Sequence, residues 1–381
     1  MTVLPQFELL GLNLQELTDL VETLGEPSFR ARQLFDALYR QRLAALDDIS
    51  TLPKALRSRL ASEGHRAGSP AIDQRFVSLD GTVRYLVRFS DGQTVETVWM
   101  PDGDGVEETE ELLPGQAVGN PSDLRASNQP PNRRATICLS SQSGCAVNCK
   151  FCMTALLGLQ RNLTAGEIVG QVLLLLNDHR IEIGRDRINL VFMGQGEPFL
   201  NYENFIRSVQ LLVLGAGIPE SRMTVSTSGI VPRIADFGRE PIRPHLAISL
   251  NASNDQVRER VMPINRKWNL GAILEAARQF PLRSHERLTF EYVLLSGVND
   301  IAANARELVE LLRGIRAKVN LIALNPGPEI PFQTPSPAAV ESFQQILIAA
   351  GIPAYLRRPR GLDIYAACGQ LKRTTALISL T

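Results

Sequence analysis

The spacing of apolar residues divides the chain into four zones. Over Asn13 to Gly64 it is helical: Leu17, Leu20 and Leu24 share one face, and Leu34, Phe35 and Leu38 form a second. From Arg75 to Met100 the pattern shortens to alternation and predicts strands at Arg75–Leu79, Val83–Phe89 and Thr94–Met100. Asp80-Gly81 and Asp91-Gly92 between them are hairpin signals, so a β-meander is expected. Residues 101–132 have no period and are rich in Pro, Gly, Asn and acids, which predicts a flexible surface insertion.

From Arg133 onwards, strand-like runs fall at Thr136–Leu139, Ile188–Met193, Met223–Ser226, Leu246–Leu250, Leu288–Leu294 and Val319–Leu324. Helical patterns lie between most of them, at Ala165–Leu176, Tyr202–Val213, Leu270–Arg278 and Ala303–Arg313, and Ala338–Ala349 follows the last strand. Repeated βα units predict a parallel sheet, open or closed towards a barrel, with its chemistry at the carboxyl ends of the strands. The expected division is a helical module over 1–70, a meander extension over 71–100, the insertion over 101–132, an α/β body over 133–372 and a tail over 373–381.

Composition narrows the class only modestly. At 44% hydrophobic and 21% charged residues, this is the make-up of a globular protein. Apolar runs such as Val172 to Leu176 are far too short to cross a bilayer, and no secretory signal pattern is visible at the start. The five cysteines, Cys138, Cys145, Cys149, Cys152 and Cys368, are an odd set that argues against a disulfide framework. A reducing, cytoplasmic location without membrane contact is expected.

A formal net charge of zero hides an asymmetry. Residues 101–132 hold seven acids and one base, Arg125, so that segment carries −6 and the rest of the chain +6. In the helical module Arg30, Arg32, Arg40, Arg42, Lys54, Arg57 and Arg59 occupy polar positions. Such a basic module suits contact with an RNA backbone, and equally suits a plain solvated surface.

The chemistry concentrates in Gly144-Cys145-Ala-Val-Asn-Cys149-Lys-Phe-Cys152-Met153, a C-x3-C-x2-C spacing in a loop just after a predicted strand. Thiolates are soft ligands for zinc or iron–sulfur centres. A structural zinc needs a fourth protein ligand, yet His65, His179, His245 and His285 all lie far from this loop in sequence. Cys138 could serve only if its strand bent back. A 4Fe-4S cluster held by three cysteines instead leaves one iron open to bind and reduce a substrate. A zinc-bound RNA-binding protein without catalysis remains the alternative on spacing alone.

Cys145, Cys149 and Cys152, with Phe151 before the last, resemble the signature of the radical S-adenosylmethionine (SAM) superfamily. Further runs are Arg134-Ala-Thr-Ile-Cys138, Arg161-Asn162-Leu163, Gly194-Gln-Gly-Glu197-Pro198, Ser226-Thr-Ser-Gly229, Met262-Pro-Ile-Asn265 and Asp363-Ile-Tyr-Ala-Ala-Cys368. With Phe29-Arg-Ala-Arg-Gln-Leu and Thr51-Leu-Pro-Lys near the start, they resemble the RlmN/Cfr class of radical SAM adenine methyltransferases. The resemblance covers nearly everything except the insertion and the last few residues. It implies a partial (β/α)6 radical SAM barrel with a small N-terminal helical RNA-binding domain and the β-meander extension.

The resemblance also implies an activity: methylation of adenine C2 in 23S rRNA and in a tRNA anticodon loop. C8 methylation, the antibiotic-resistance activity of close relatives, is the alternative. The implied cofactors are a 4Fe-4S cluster and two SAM molecules per turnover, supplied with electrons by a donor such as flavodoxin. One SAM would methylate Cys368. A radical made from the second would activate that methyl group for addition to the base. Cys138 would then attack the Cys368 sulfur, leaving a disulfide, and Glu96 would take the ring proton. Gly196, Glu197, Ser226, Ser249, Leu250, Asn251 and Asn325 are the implied SAM contacts. Two positions depart from the class: Asn251 stands where histidine is usual, and Gln195 where methionine is usual.

Overall fold

Asn13 opens the first helix with a reciprocal cap: its side chain accepts the Glu16 N–H while the Glu16 carboxylate accepts the Asn13 N–H. The computed structural model describes residues 7–101 and 133–372, so the expected insertion from 102 onwards and the tail over 373–381 lie outside the described residues. Strand β1 (Phe7–Glu8) precedes α1 (Leu14–Thr23), and α2 (Phe29–Phe35) continues into a π turn at Asp36–Arg40. After α3 (Lys54–Ser62), β2 (His65–Arg66) pairs in parallel with β1. Leu17, Leu24, Leu34, Phe35 and Leu38 are buried, as their spacing predicts, in a core continuous with that of the α/β body.

Several of this module's arginines hold the protein together. Arg42 donates to the Ile181 carbonyl at 2.9 Å, and Arg59 to the Leu24 carbonyl at the end of α1 at 2.6 Å. Arg32 and Arg40 flank Asp36 at 3.9 and 3.4 Å.

The meander forms as β3 (Ala71–Val77), β4 (Val83–Arg88) and β5 (Thr94–Pro101). Each Asp-Gly pair ends a three-residue turn, in which Asp80 and Asp91 accept the N–H groups of Thr82 and Gln93. The meander continues the main sheet: β5 pairs antiparallel with β6 (Arg134–Cys138), Val98 opposite Cys138.

After β6 comes a small hairpin, β7 (Gln142–Gly144) with β8 (Leu159–Asn162), and then the alternation begins. Its members are α4 (Ala165–Asp178), β9 (Arg187–Phe192), α5 (Tyr202–Leu214), β10 (Met223–Thr227), α6 (Val231–Gly238) and β11 (His245–Ser249). Next are α7 (Asp255–Val261), α8 (Leu270–Gln279), β12 (Leu288–Leu294), α9 (Ala302–Leu312), β13 (Ala317–Ala323), α10 (Pro337–Ala349) and β14 (Ala354–Leu356). The ten-stranded sheet has the order β14-β13-β12-β11-β10-β9-β6-β5-β4-β3, parallel from β6 to β14.

All six expected parallel strands are present, and β14, too short to show a period, adds a seventh. Neighbouring strands follow chain order, so right-handed crossovers put connecting helices such as α4 and α5 on one face. The other face becomes the interior of an open barrel. Along β9, Ile188, Leu190 and Phe192 bury towards the helices, while Asn189 and Val191 face inward and are only half-buried.

Candidate active site

Gly144 and Gly158 bring together the two ends of the cysteine loop. Gly144 has φ +79°, and a Cβ there would sit 1.7 Å from the Gly158 carbonyl oxygen, so only glycine lets β7 and β8 meet. The Cys145 N–H donates to that same carbonyl at 3.0 Å. At the loop's far side the Lys150 N–H donates to the Val261 carbonyl at 2.9 Å, anchoring it to the end of α7.

Cys145, Cys149 and Cys152 lie close enough to repel one another when ionised. Burial pushes all three thiols up, Cys145 to about 12, and at Cys149 the neighbouring Cys152 and Cys145 add to that rise. The bare loop therefore holds protons that a cation would displace, as expected of a thiolate metal site. Among the described residues no three His, Cys, Asp or Glu side chains converge on a single ion. A cubane asks for something else, one thiolate at each of three separate irons. The donor set of three soft thiols fits that group, with the Glu197 carboxylate within electrostatic reach of Cys145 and Cys149.

The C-terminal segment is fastened to this loop. The Met153 N–H donates to the Gly369 carbonyl at 2.7 Å, and the Thr154 hydroxyl to the Leu371 carbonyl at 2.8 Å. Asn325 Nδ2 donates to the Cys368 carbonyl at 3.1 Å. Cys368 keeps an open face to solvent although protein surrounds it, as on the wall of a concavity, and burial pushes its thiol up to about 11. Cys138 is buried at the end of β6 among Val98, Ile364, Ala366 and Leu371, within electrostatic reach of Cys368. The disulfide expected between them is not present: all five cysteines are free. Burial pushes the Cys138 thiol well up from its ordinary value, and the neighbouring Cys368 adds to the rise.

Glu96 is fully buried, contrary to the usual surface habit of a strand glutamate. Its register places it on the same inward face as Val98 and Cys138. Arg84, from β4 and also fully buried, forms an ion pair with it, and Gln195 Nε2 donates to Glu96 Oε2 at 3.0 Å. The Ser140 hydroxyl donates to the Glu96 carbonyl at 2.6 Å and accepts the Gln195 N–H at 2.9 Å, locking the ends of β6 and β9 to β5.

The remaining candidates line the carboxyl ends of the strands. Gly196, φ +102°, passes so close to Gln142 that a Cβ would lie 2.6 Å from its side chain. The Glu197 carboxylate accepts the N–H groups of Phe199 at 3.0 Å and Ser228 at 2.7 Å, bracing the end of β9 against that of β10. Burial nevertheless raises its pKa. Ser226 and Ser249 share a hydroxyl contact at 3.2 Å, and Leu250 is buried beside them. Asn251 adopts φ +57°, a conformation asparagine tolerates, and its Oδ1 accepts the Val293 N–H at 2.8 Å.

Sequence reading missed Arg84 and Arg258. Arg258 is fully buried and donates to the carbonyls of Leu250 at 3.0 Å, Ser228 at 2.7 Å and Ser249 at 3.2 Å, gathering the ends of β10 and β11. Burial lowers its pKa to about 10, against a counter-effect from Cys149. Neither arginine carries a local signal, because each partner set lies on other strands or turns.

A profile described as the ribosomal RNA large subunit methyltransferase N-terminal domain matches residues 7–64, and one described as the radical SAM superfamily matches 139–312. The chain is 63% identical over 354 residues to a probable dual-specificity RNA methyltransferase RlmN of Koribacter versatilis, covering 93% of this chain and 98% of that one. It belongs to the RlmN family. A dual-specificity RNA methyltransferase RlmN of Anaeromyxobacter sp. (strain Fw109-5) is 44% identical over 376 residues, 96% of this chain and 91% of that one. The crystal structure of a radical SAM methyltransferase from Sphaerobacter thermophilus superposes with a TM-score of 0.83 at 43% identity, covering 97% and 99% of the two chains. The fold is thus the mixed α/β radical SAM fold with the N-terminal RlmN domain, and the family implies a 4Fe-4S cluster and SAM. Among the described residues, no helix is long and apolar enough to cross a membrane.

Proposed function

We propose that the chain methylates C2 of an adenine in 23S rRNA and of an adenine in a tRNA anticodon loop, by way of a methyl group carried on Cys368. The observation that supports this most is the backbone bond between Met153, next to Cys152, and Gly369, next to Cys368. It brings a cysteine from the far end of the fold onto the loop of three. Cys145, Cys149 and Cys152 would hold the cluster, and Gly196, Glu197, Ser226, Ser249, Leu250, Asn251 and Asn325 surround the place for SAM. When bound, these groups supply methyl and one-electron chemistry, two SAM per turnover, with electrons from a donor such as flavodoxin.

The protein's own part follows from its side chains. Cys368 holds the one-carbon unit where the barrel mouth is open. Cys138, buried beside it, attacks the Cys368 sulfur and releases the methylated base. Glu96 accepts the ring proton, and Arg84 balances its charge. An adenine in a loop is the reachable substrate, since its base can be splayed out of the stack. A cytoplasmic location accords with such substrates.

Digesting RNA treated with the reconstituted protein and separating methyladenosine isomers by mass spectrometry tests the reading. The 2-methyl isomer is expected; the 8-methyl isomer, or none, overturns it. With Cys138→Ala, a covalent RNA–protein adduct through Cys368 should accumulate. Free, fully methylated RNA from that variant would remove Cys138 from its role.

A further inference from the structure

Gln195 makes an unusual pair of contacts. Its Nε2 donates to Glu96 Oε2 at 3.0 Å, whereas its Oε1 is buried and has no hydrogen-bond partner. The residue itself has no exposure to solvent, so water does not satisfy that oxygen from outside. Its backbone is fixed as well: the N–H donates to the Ser140 hydroxyl at 2.9 Å, and the carbonyl accepts the Ser141 N–H at 2.8 Å. Only the end of the side chain is left to turn.

The amide's orientation follows from the charge state of Glu96. An ionised carboxylate only accepts, so the amide must offer nitrogen; turned the other way, two oxygens would face each other. A protonated carboxyl has the opposite need at its O–H and requires an acceptor. The unused Oε1 is that acceptor, half a turn away. Nitrogen and oxygen of an amide are nearly equal in size, so the turn needs no extra space in a packed interior.

We propose that Gln195 is a positioning residue for Glu96, an amide that presents nitrogen to the carboxylate and oxygen to the carboxylic acid. The proposal rests on the reading that Glu96 takes the adenine ring proton. In that step the ring C–H bond breaks, its electron pair stays in the ring, and the proton goes to Oε2. The amide then turns about its Cγ–Cδ bond, and Oε2–H donates to Gln195 Oε1. Loss of the proton to solvent reverses the turn. Arg84, from β4, faces the other carboxylate oxygen, and Ser140, beyond the end of β6, holds the Glu96 main chain. Arg84 thus fixes the charge and Gln195 follows the proton. A leucine at position 195 would fill much the same space and do neither.

The test counts 5′-deoxyadenosine and methylated adenine in the same reaction with the reconstituted holoenzyme. In the wild type the two form together. Gln195→Leu keeps roughly the volume and removes the amide, so adduct should form but lose its proton slowly. The ratio of methylated adenine to 5′-deoxyadenosine should fall about tenfold, a modest share of what a general base contributes. Gln195→Glu, whose protonated carboxyl offers the same donor and acceptor, should recover most of the coupling. A merely structural role would depress both products in parallel and leave the ratio alone; that outcome overturns the proposal. Infrared difference spectra of wild type against Glu96→Gln provide a reading without any change at residue 195. On acidification the Glu96 carboxyl band should appear at the position of a hydrogen-bonded acid, and a band at the free-acid position counts against the amide turn. If Glu96→Gln stays as coupled as wild type, the base assignment itself fails and this proposal with it. If Glu96→Gln uncouples and Gln195→Leu does not, the proposal alone falls.

Discussion

Arg84 and Glu96 are both fully buried, and in that setting each charge depends on the other. Removing one partner of such a pair leaves an uncompensated charge in a low-dielectric interior, which costs about 3–5 kcal/mol, whereas replacing both with apolar groups costs far less. Arg84→Met should therefore lower the denaturation midpoint strongly, and Arg84→Met with Glu96→Leu should regain most of the loss in stability while remaining inactive. Equilibrium urea unfolding measures both. Asp80 is governed by hydrogen bonds. Burial pushes its carboxyl up, but the N–H groups of Gly361 and Thr82 and the hydroxyls of Thr82 and Ser78 outweigh this and hold it below the ordinary 3.8. Its contribution to stability is complete above that value and lost as pH falls through the lowered one. The melting temperatures of wild type and Asp80→Asn should differ at neutral pH and converge in strong acid, as calorimetry across pH would show.

Among the elements, the β7–β8 hairpin has the clearest single vulnerability. Gly144→Ala places a methyl group against the Gly158 carbonyl and forces a left-handed backbone on alanine. The cysteine loop should open while the barrel, whose sheet does not include this hairpin, still forms. After anaerobic reconstitution the variant should be nearly colourless, with iron and sulfide far below the wild type but an unchanged far-ultraviolet circular dichroism spectrum. The parallel strands were readable from sequence because an apolar run between helical periods is a local pattern. That pattern also marked which end of each strand carries Ser226, Ser249 and Asn251. The small hairpin and β14 were not readable, since strands of three or four residues are too short to show alternation. Arg84 and Arg258 escaped for another reason: their meaning lies in partners elsewhere in the chain, such as Glu96 for Arg84 and Ser228 for Arg258, which no periodicity encodes.

For the molecule as a whole, the N-terminal module and the barrel are packed as one body. A Cβ on Gly166, at the start of α4, would lie 2.1 Å from the Leu10 carbonyl oxygen, and Arg207 from α5 donates to the Gly11 carbonyl at 2.7 Å. Gly166→Val should wedge the two apart at a cost of about 1–3 kcal/mol, typical of overpacking. Hydrogen exchange should then rise first in residues 7–64, and RNA binding should weaken before SAM cleavage does. Unchanged exchange there would show that the contact is dispensable. The basic helical module read from sequence is thus partly a docking surface: Arg42 donates to a carbonyl of the α/β body and Arg59 to one inside the module, while Arg32 and Arg40 remain mostly exposed. The hydrogen bond from Met153 to Gly369 has a consequence for biosynthesis. A ribosome makes the cysteine loop more than two hundred residues before the strand of chain that ties it down. A nascent barrel would therefore offer its three thiols with one side open, and the pocket can close only after the last turn of the fold has been translated.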